Sequence, residues 1–193
     1  METSLSEKNP AGDLCRYSYL HVLMLDNVFR RFFQNPAKIL NRYIRPGMTV
    51  IDIGCGPGTF ALAMAEMIGE NGTVIATDVQ SEMLQYAKKK SDRSGLSSRI
   101  TWHQNSPDCL GIEQKADFVL SFHMVHEVPD QDRFLREVFS IIKSGGKYLV
   151  AEPVFHVSEL AFSKTLENAA RAGFMIEDRP EISMSRAVLL AKP

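Results

Sequence analysis

The strongest constraint on this chain is an alternation: between residues 49 and 151, short apolar runs take turns with stretches of helical periodicity. Strands are expected at Thr49–Ile53, Thr73–Asp78, Ile100–Gln104 and Ala116–Phe122, with a fifth over 147–151. Most of these runs stay apolar from one residue to the next, as in strands buried on both faces, and a parallel sheet covered by helices on each side buries both faces. Helices are expected at Thr59–Ile68, from Ser81 onward with that residue as cap, and over 130–142. The last carries Phe134, Leu135, Val138, Phe139 and Ile142 on one stripe and stops at Ser144-Gly145-Gly146. Beyond the fifth strand, one helix over 159–172 ends at Gly173, and two strand-like runs, 174–178 and 183–191, follow with no helix between them. Two strands joined by a turn run antiparallel, so the sheet closes with one reversed strand.

Upstream, residues 1–14 are expected to be a flexible lead-in. Over 15–45, Leu20, Leu23, Met24, Val28, Phe32, Ile39, Leu40 and Tyr43 recur at helical spacing and predict two helices broken near Asn35-Pro36, the second running to Tyr43. With 45% apolar residues in 193, the chain suits a single domain, and its core is expected over 46–193. No apolar run approaches the roughly 18 residues of a membrane span, and the start of the chain lacks a secretory pattern. Cys15, Cys55 and Cys109 are an odd count without a Cys-x-x-Cys pair, which argues against a disulfide framework or zinc ribbon and for a reducing cytoplasm.

The chemistry is expected at the end of the first strand, where Gly54-Cys55-Gly56-Pro57-Gly58 forms a turn that brings backbone N–H groups close to a ligand. In a doubly wound sheet that position is the point at which strand order reverses and ligands bind. Two details separate the turn from a dinucleotide fingerprint. Thr59 stands where the third glycine would fall, and Asp52 projects a carboxylate two residues before Gly54. An anion suits an ammonium or sulfonium better than a pyrophosphate. Between Pro46 and Ala87 there is no Lys or Arg, against five acids: Asp52, Glu66, Glu70, Asp78 and Glu82. Asp78, at the end of the second strand, is placed to accept ribose hydroxyls, which indicates an adenosine-type ligand. Met83 is either an adenine-packing residue or plain core, and Asn105-Ser106 either read the adenine edge or form a turn.

Val50-Ile51-Asp52-Ile53-Gly54-Cys55-Gly56-Pro57-Gly58, Ala76-Thr77-Asp78 with Ser81-Glu82-Met83-Leu84, Ala116-Asp117-Phe118-Val119-Leu120-Ser121-Phe122 and Lys143-Ser144-Gly145-Gly146 together resemble the class I S-adenosylmethionine-dependent methyltransferases. The likeness is greatest to the small-molecule branch with quinone-biosynthesis and arsenite methyltransferases. It implies a Rossmann-like α/β fold with seven strands in the order 3-2-1-4-5-7-6, strand 7 antiparallel. It also implies S-adenosylmethionine as cofactor and S-adenosylhomocysteine as product. By the same resemblance Gly54 and Gly56 lie against the methionine moiety, Asp52 supports its ammonium and Asp78 holds the ribose. Val79 and Met83 flank the adenine, Asn105 and Ser106 contact its edge, Cys55 and Gly58 complete the turn, and Phe122 and His123 line the methyl-transfer side.

His123, His126 and His156 are candidate acceptor-side residues, because imidazole works as a base near neutral pH, although a pair such as His126-Glu127 also serves simply to tie a loop. His123 and His126 carry the catalytic expectation, and no metal site is expected, since they lack the helical two-histidine spacing of zinc hydrolases. Arsenite is disfavoured as acceptor because Cys15 and Cys109 fall outside the loops after strands four and five. A net charge of −1 gives no field for tracking phosphates, so a small molecule is expected in place of nucleic acid. Tyr17, Tyr19, His21, Met24 and Phe29 of the N-terminal helices are expected to cover the site or simply to pack. Two alternatives stand beside methyl transfer: a non-catalytic protein that binds the cofactor or its demethylated product, and a nicotinamide-dependent oxidoreductase. The sequence leaves the oligomeric state open.

Overall fold

The structure, a computed structural model, describes residues 34–193. The lead-in, most of the expected N-terminal helices with Tyr17, Tyr19, His21, Met24 and Phe29, and Cys15 lie outside the described residues. In chain order the elements are α1 (Pro36–Leu40), β1 (Thr49–Ile53), α2 (Thr59–Ile68), β2 (Thr73–Asp78), α3 (Ser81–Arg93), β3 (Ile100–Gln104), β4 (Ala116–Phe122), α4 (Gln131–Ile141), β5 (Ile142–Pro153), α5 (Glu159–Ala172), β6 (Met175–Asp178) and β7 (Ser185–Ala191). Short 3-10 turns sit at Ser97–Arg99 and Val125–Glu127.

The seven strands form one sheet in the order β3-β2-β1-β4-β5-β7-β6. β1 runs parallel to β2 and β4, β4 to β5, and β7 is antiparallel to β5 and β6, as the closing hairpin requires. Alternate residues feed two cores. Val50, Phe118, Leu120 and Leu149 pack beneath α2 and Leu40, while Ile51, Ile53, Val119, Val150 and Leu190 pack beneath α4 and α5. Each fully buried aliphatic side chain contributes about 1.5–3 kcal/mol, which is why the apolar runs become strands covered on both faces.

Four details differ from expectation. Helix α1 ends at Leu40 instead of running on to Tyr43; it is capped by Asn35, whose side chain accepts from the N–H groups of Ala37 and Lys38. Ser81 is the first helical residue of α3 and not its cap: Gln80 holds that position, with its N–H donated to Asp78 Oδ1 at 2.9 Å. α4 stops at Ile141, because Ile142 pairs with Ala116 and begins β5. The Lys143–Gly146 stretch is then absorbed as an irregularity, with Phe118 pairing Lys147 and Gly145 N–H donated to Lys192 O at 2.9 Å. The closing strands start slightly later than expected, at Met175 and Ser185. Among the described residues, no helix is long and apolar enough to cross a membrane.

Candidate functional site

The turn after β1 is fixed from β2. Gly54 and Cys55 both donate their N–H groups to Thr77 O, at 2.8 and 2.9 Å, and Gly56 donates to Asp78 Oδ2 at 2.9 Å. Asp78 thus lashes the glycine turn to the start of α3 through its two oxygens, and each retains a further lone pair for a ligand. A Cβ on Gly54 would stand 2.7 Å from Met124 Cγ, so the chain must be glycine there to pass the loop after β4. Gly56, at φ +50°, faces open space, and its backbone is accessible to a ligand.

Asp52 is 2% exposed, and its Oδ2 has no hydrogen-bond partner. Burial and the neighbouring Asp78 charge push its carboxyl up to about 7, against the support of the Ala61 backbone N–H. Burial also raises Asp78, offset by the N–H groups it accepts, and pushes the Cys55 thiol well up, which makes that sulfur a small packing residue and not a nucleophile.

These groups open into a cavity of about 460 Å³. Every residue singled out in the sequence for cofactor binding or catalysis lines it except Gly58. Gly58 instead lets two helices meet: a Cβ there would stand 2.8 Å from that of Ala87 on α3. Among the described residues six carboxylates line the cavity, from Asp52, Asp78, Asp108, Glu127, Asp130 and Glu137, against one guanidinium, Arg133, which is itself paired with Asp108 at 2.8 Å. A buried, unpartnered carboxylate oxygen in such a lining suits a cationic donor such as an ammonium, and the open Gly56 backbone leaves room for it. The residues therefore fit an S-adenosylmethionine-type ligand, with Asp52 and Asp78 lining the cavity from adjacent strands.

Asn105 lines the cavity but spends its side chain locally: its Oδ1 accepts from the Thr77 hydroxyl at 2.6 Å and its amide donates to Ser106 O at 2.9 Å. The turn reading of Asn105 is the one the geometry supports. Cys109, expected to fall away from the loops after strands four and five, lines the same cavity as they do and is exposed. The reason is the short Ser106–Cys109 bridge, which folds the chain after β3 back toward α4, where Leu110 N–H is donated to Glu137 at 2.8 Å.

The two histidines of the β4 loop are held differently. His123 adopts φ +60°, donates its N–H to Ala151 O at 2.7 Å and meets Ser185 Oγ of β7 through Nε2 at 2.8 Å. His126 is bound through Nδ1 to the carboxylate of Glu152, which raises the imidazole pKa despite partial burial. Glu127, its neighbour in sequence, stands 3.9 Å from Nε2. Glu152 falls in the stretch Glu152-Pro153-Val154-Phe155-His156 after the fifth strand, where the sequence offers candidate residues but gives Glu152 no partner. It is 1% exposed and also accepts the Val125 N–H at 2.9 Å, and the one local signal is a carboxylate ending the apolar run Tyr148-Leu149-Val150-Ala151. Among the described residues, no cluster of three His, Cys, Asp or Glu side chains is arranged to hold a metal.

Comparison with known proteins agrees with this geometry. A family described as "Methyltransferase domain" matches residues 44–181. The ubiquinone/menaquinone biosynthesis C-methyltransferase of Vibrio vulnificus is 32% identical over 115 residues, covering 58% of this chain and 44% of its own length. The chain thus spans about half the length of the curated relatives it matches. In structure it is similar to a SAM-dependent methyltransferase from Aquifex aeolicus, with a TM-score of 0.80 and 23% identity, covering 91% of this chain and 98% of that one. It is also similar to the [4+2]-cyclase SpnF, with a TM-score of 0.70 and 17% identity over 82% of this chain and 81% of that one. The strand order, the glycine turn beside two buried carboxylates and the match over residues 44–181 lead to one conclusion: the chain belongs to the methyltransferase-domain family of class I S-adenosylmethionine-dependent methyltransferases.

Proposed function

We propose that this chain transfers the methyl group of S-adenosylmethionine to a small-molecule acceptor bound beside Phe122, His123 and Met124. The observation that carries this reading is the unpartnered Oδ2 of buried Asp52, set in an acidic cavity beside the open backbone of Gly56. When bound, the sulfonium supplies an electrophilic methyl and a good leaving group. The chain's part is to bind and align. Asp52 receives the ammonium, Gly54 and Gly56 pass close to the methionine moiety, and Asp78 accepts the ribose hydroxyls. Val79 and Met83 flank the base, with Ser106 at its edge. Cys55 and Gly58 act through the shape of the turn.

The acceptor end is bounded by Phe122, Met124, Phe155 and Met184, an apolar and sulfur-bearing lining that suits an uncharged ring better than a polyanion. The curated relatives' action on quinone precursors, given in their names, supports the same choice. In this reading nucleic acid is not the acceptor, the reaction is cytoplasmic, and the segment 15–45 covers the site. Gln34, the first described residue, is buried at the cavity and donates to Ser183 O at 3.3 Å. A second reading, binding without methyl transfer, is favoured by one observation: the fold is shared with a protein named for cyclisation.

Calorimetric titration with S-adenosylmethionine, S-adenosylhomocysteine and NAD tests the proposal. Micromolar binding of the first two and none of NAD is expected, followed by turnover in a panel of quinols, thiols and amines; binding without turnover across the panel selects the second reading. Asp78→Ala is expected to weaken cofactor binding by about 1–3 kcal/mol, since it removes a charge-assisted acceptor and frees the Gly56 and Gln80 N–H groups. Unchanged affinity in the folded variant would remove Asp78 from the site.

A further inference from the structure

His126 and Glu152 stand 26 residues apart in sequence, yet the parallel pairing of β4 with β5 brings them together at the end of the sheet that carries the cavity. Glu152 is 1% exposed, directly after the buried run Tyr148-Leu149-Val150-Ala151 of β5. Its Oε1 accepts the Val125 N–H at 2.9 Å, and its Oε2 is shared by the His126 N–H at 3.4 Å and the His126 ring nitrogen Nδ1. The backbone of the 3-10 turn would be satisfied by any acceptor at this point. A neutral glutamine or an ordered water would serve without the cost of burying a charge. What the carboxylate adds is an orienting bond to one ring nitrogen.

We infer that Glu152 is a positioning residue that fixes His126 as its Nδ1–H tautomer and presents Nε2 at the cavity as the base for an acceptor's O–H, N–H or S–H proton. This rests on the methyl-transfer reading above and extends it to the acceptor class: one whose attacking atom carries an acidic hydrogen. As the attacking atom forms its bond to carbon, its proton passes to Nε2 and the carbon–sulfur bonding pair leaves with sulfur. His126 becomes an imidazolium stabilised by Glu152 and returns its proton to solvent, so charge and atoms balance. The groups facing the imidazole are Glu152 from β5, Glu127 from the 3-10 turn, 3.9 Å from Nε2, and His156 from the segment after β5, ring centroids 6.3 Å apart. His123 is a weaker candidate for the same role, since its Nε2 already meets Ser185.

The test is a pH titration of histidine ring signals by NMR, on the full chain with S-adenosylhomocysteine present, in the natural protein, Glu152→Gln, Glu152→Asp and His126→Gln; the last assigns the signal. Neutral His126 is expected as the Nδ1–H tautomer, titrating above the ordinary value of 6.5. Glu152→Gln should lower that midpoint and mix the tautomers, and Glu152→Asp should restore the tautomer at least in part. A role confined to holding the Val125 N–H would leave tautomer and midpoint unmoved in Glu152→Gln. That result, or an Nε2–H tautomer in the natural protein, overturns the inference. Should Glu152→Gln fail to fold, the tautomer in the natural protein and in Glu152→Asp decides. Calorimetry with S-adenosylhomocysteine separates the two levels: no binding defeats the methyl-transfer reading, whereas binding with the wrong tautomer defeats only the role of Glu152.

Discussion

Asp52→Asn is expected to make the ligand-free protein more stable at pH 8 while leaving it nearly unchanged at pH 4. In the folded chain burial and Asp78 carry the Asp52 carboxyl from 3.8 to about 7. A carboxyl whose folded value lies above its unfolded one contributes stability that is fully present below the unfolded value and is lost as pH rises through the folded one. The window is therefore about pH 4 to 7, and the full difference corresponds to about 4 kcal/mol. Asparagine keeps the oxygen that the Ala61 N–H supports and removes the charge, so the variant should escape most of that loss. Asp78 and His126 also have raised values, and their stabilising contributions likewise fade with rising pH. The discriminating quantity is thus the difference between the two proteins in chemical denaturation at several pH values. Parallel curves would mean that Asp52 is not the strained carboxylate.

In the methyl-transfer reading, the same charge that weakens the ligand-free fold receives the ammonium of the cofactor. Because Asp52 is half protonated near pH 7, affinity for S-adenosylmethionine should be roughly tenfold lower at pH 6 than at pH 7.5. Asp52→Asn should bind weakly and with little pH dependence over that range. The stability cost and the binding gain share one origin: an unpartnered oxygen held out of water until a donor arrives.

What was legible in the sequence followed from local rules. The bounds of β1, β2, β3, β4 and α2 fall where expected, because each apolar run ends at a glycine or polar residue that cannot continue it. The Asp52, Gly54 and Asp78 constellation was legible for a similar reason, since strand ends and a glycine turn put all three at one end of the sheet. What was not legible depended on pairing across the sheet. Glu152 meets His126 only through the β4–β5 register, and Ile142 leaves the helical stripe because Ala116 pairs with it. Ser81 loses the cap because Asp78 takes the Gln80 N–H first. The expectation that residues 15–45 cover the site falls mostly outside the described residues.

Gly58 shows how a motif glycine serves the fold and not the ligand, and Gly58→Ala is expected to cost about 3 kcal/mol of stability. At φ +78° the residue is left-handed, where an L side chain costs roughly 1–2 kcal/mol, and its N–H closes the turn on Cys55 O at 3.0 Å, so the conformation cannot relax freely. A Cβ would also stand 2.8 Å from Ala87 Cβ and 3.2 Å from Trp102 Cη2, and both neighbours are held in packed elements, which adds an overpacking cost of about 1–3 kcal/mol. The second term is separable. Ala87→Gly alone loses about 1 kcal/mol of helix propensity, but in the Gly58→Ala background it also removes the clash, so the pair should show a favourable coupling of about 1 kcal/mol or more. The left-handed strain remains in the double variant. Because Gly58 does not line the cavity, the folded Gly58→Ala protein should bind S-adenosylhomocysteine within a few-fold of the natural chain. Unchanged stability with lost binding would return Gly58 to the cofactor site, and additive losses in the double variant would mean that α2 and α3 do not meet through this contact.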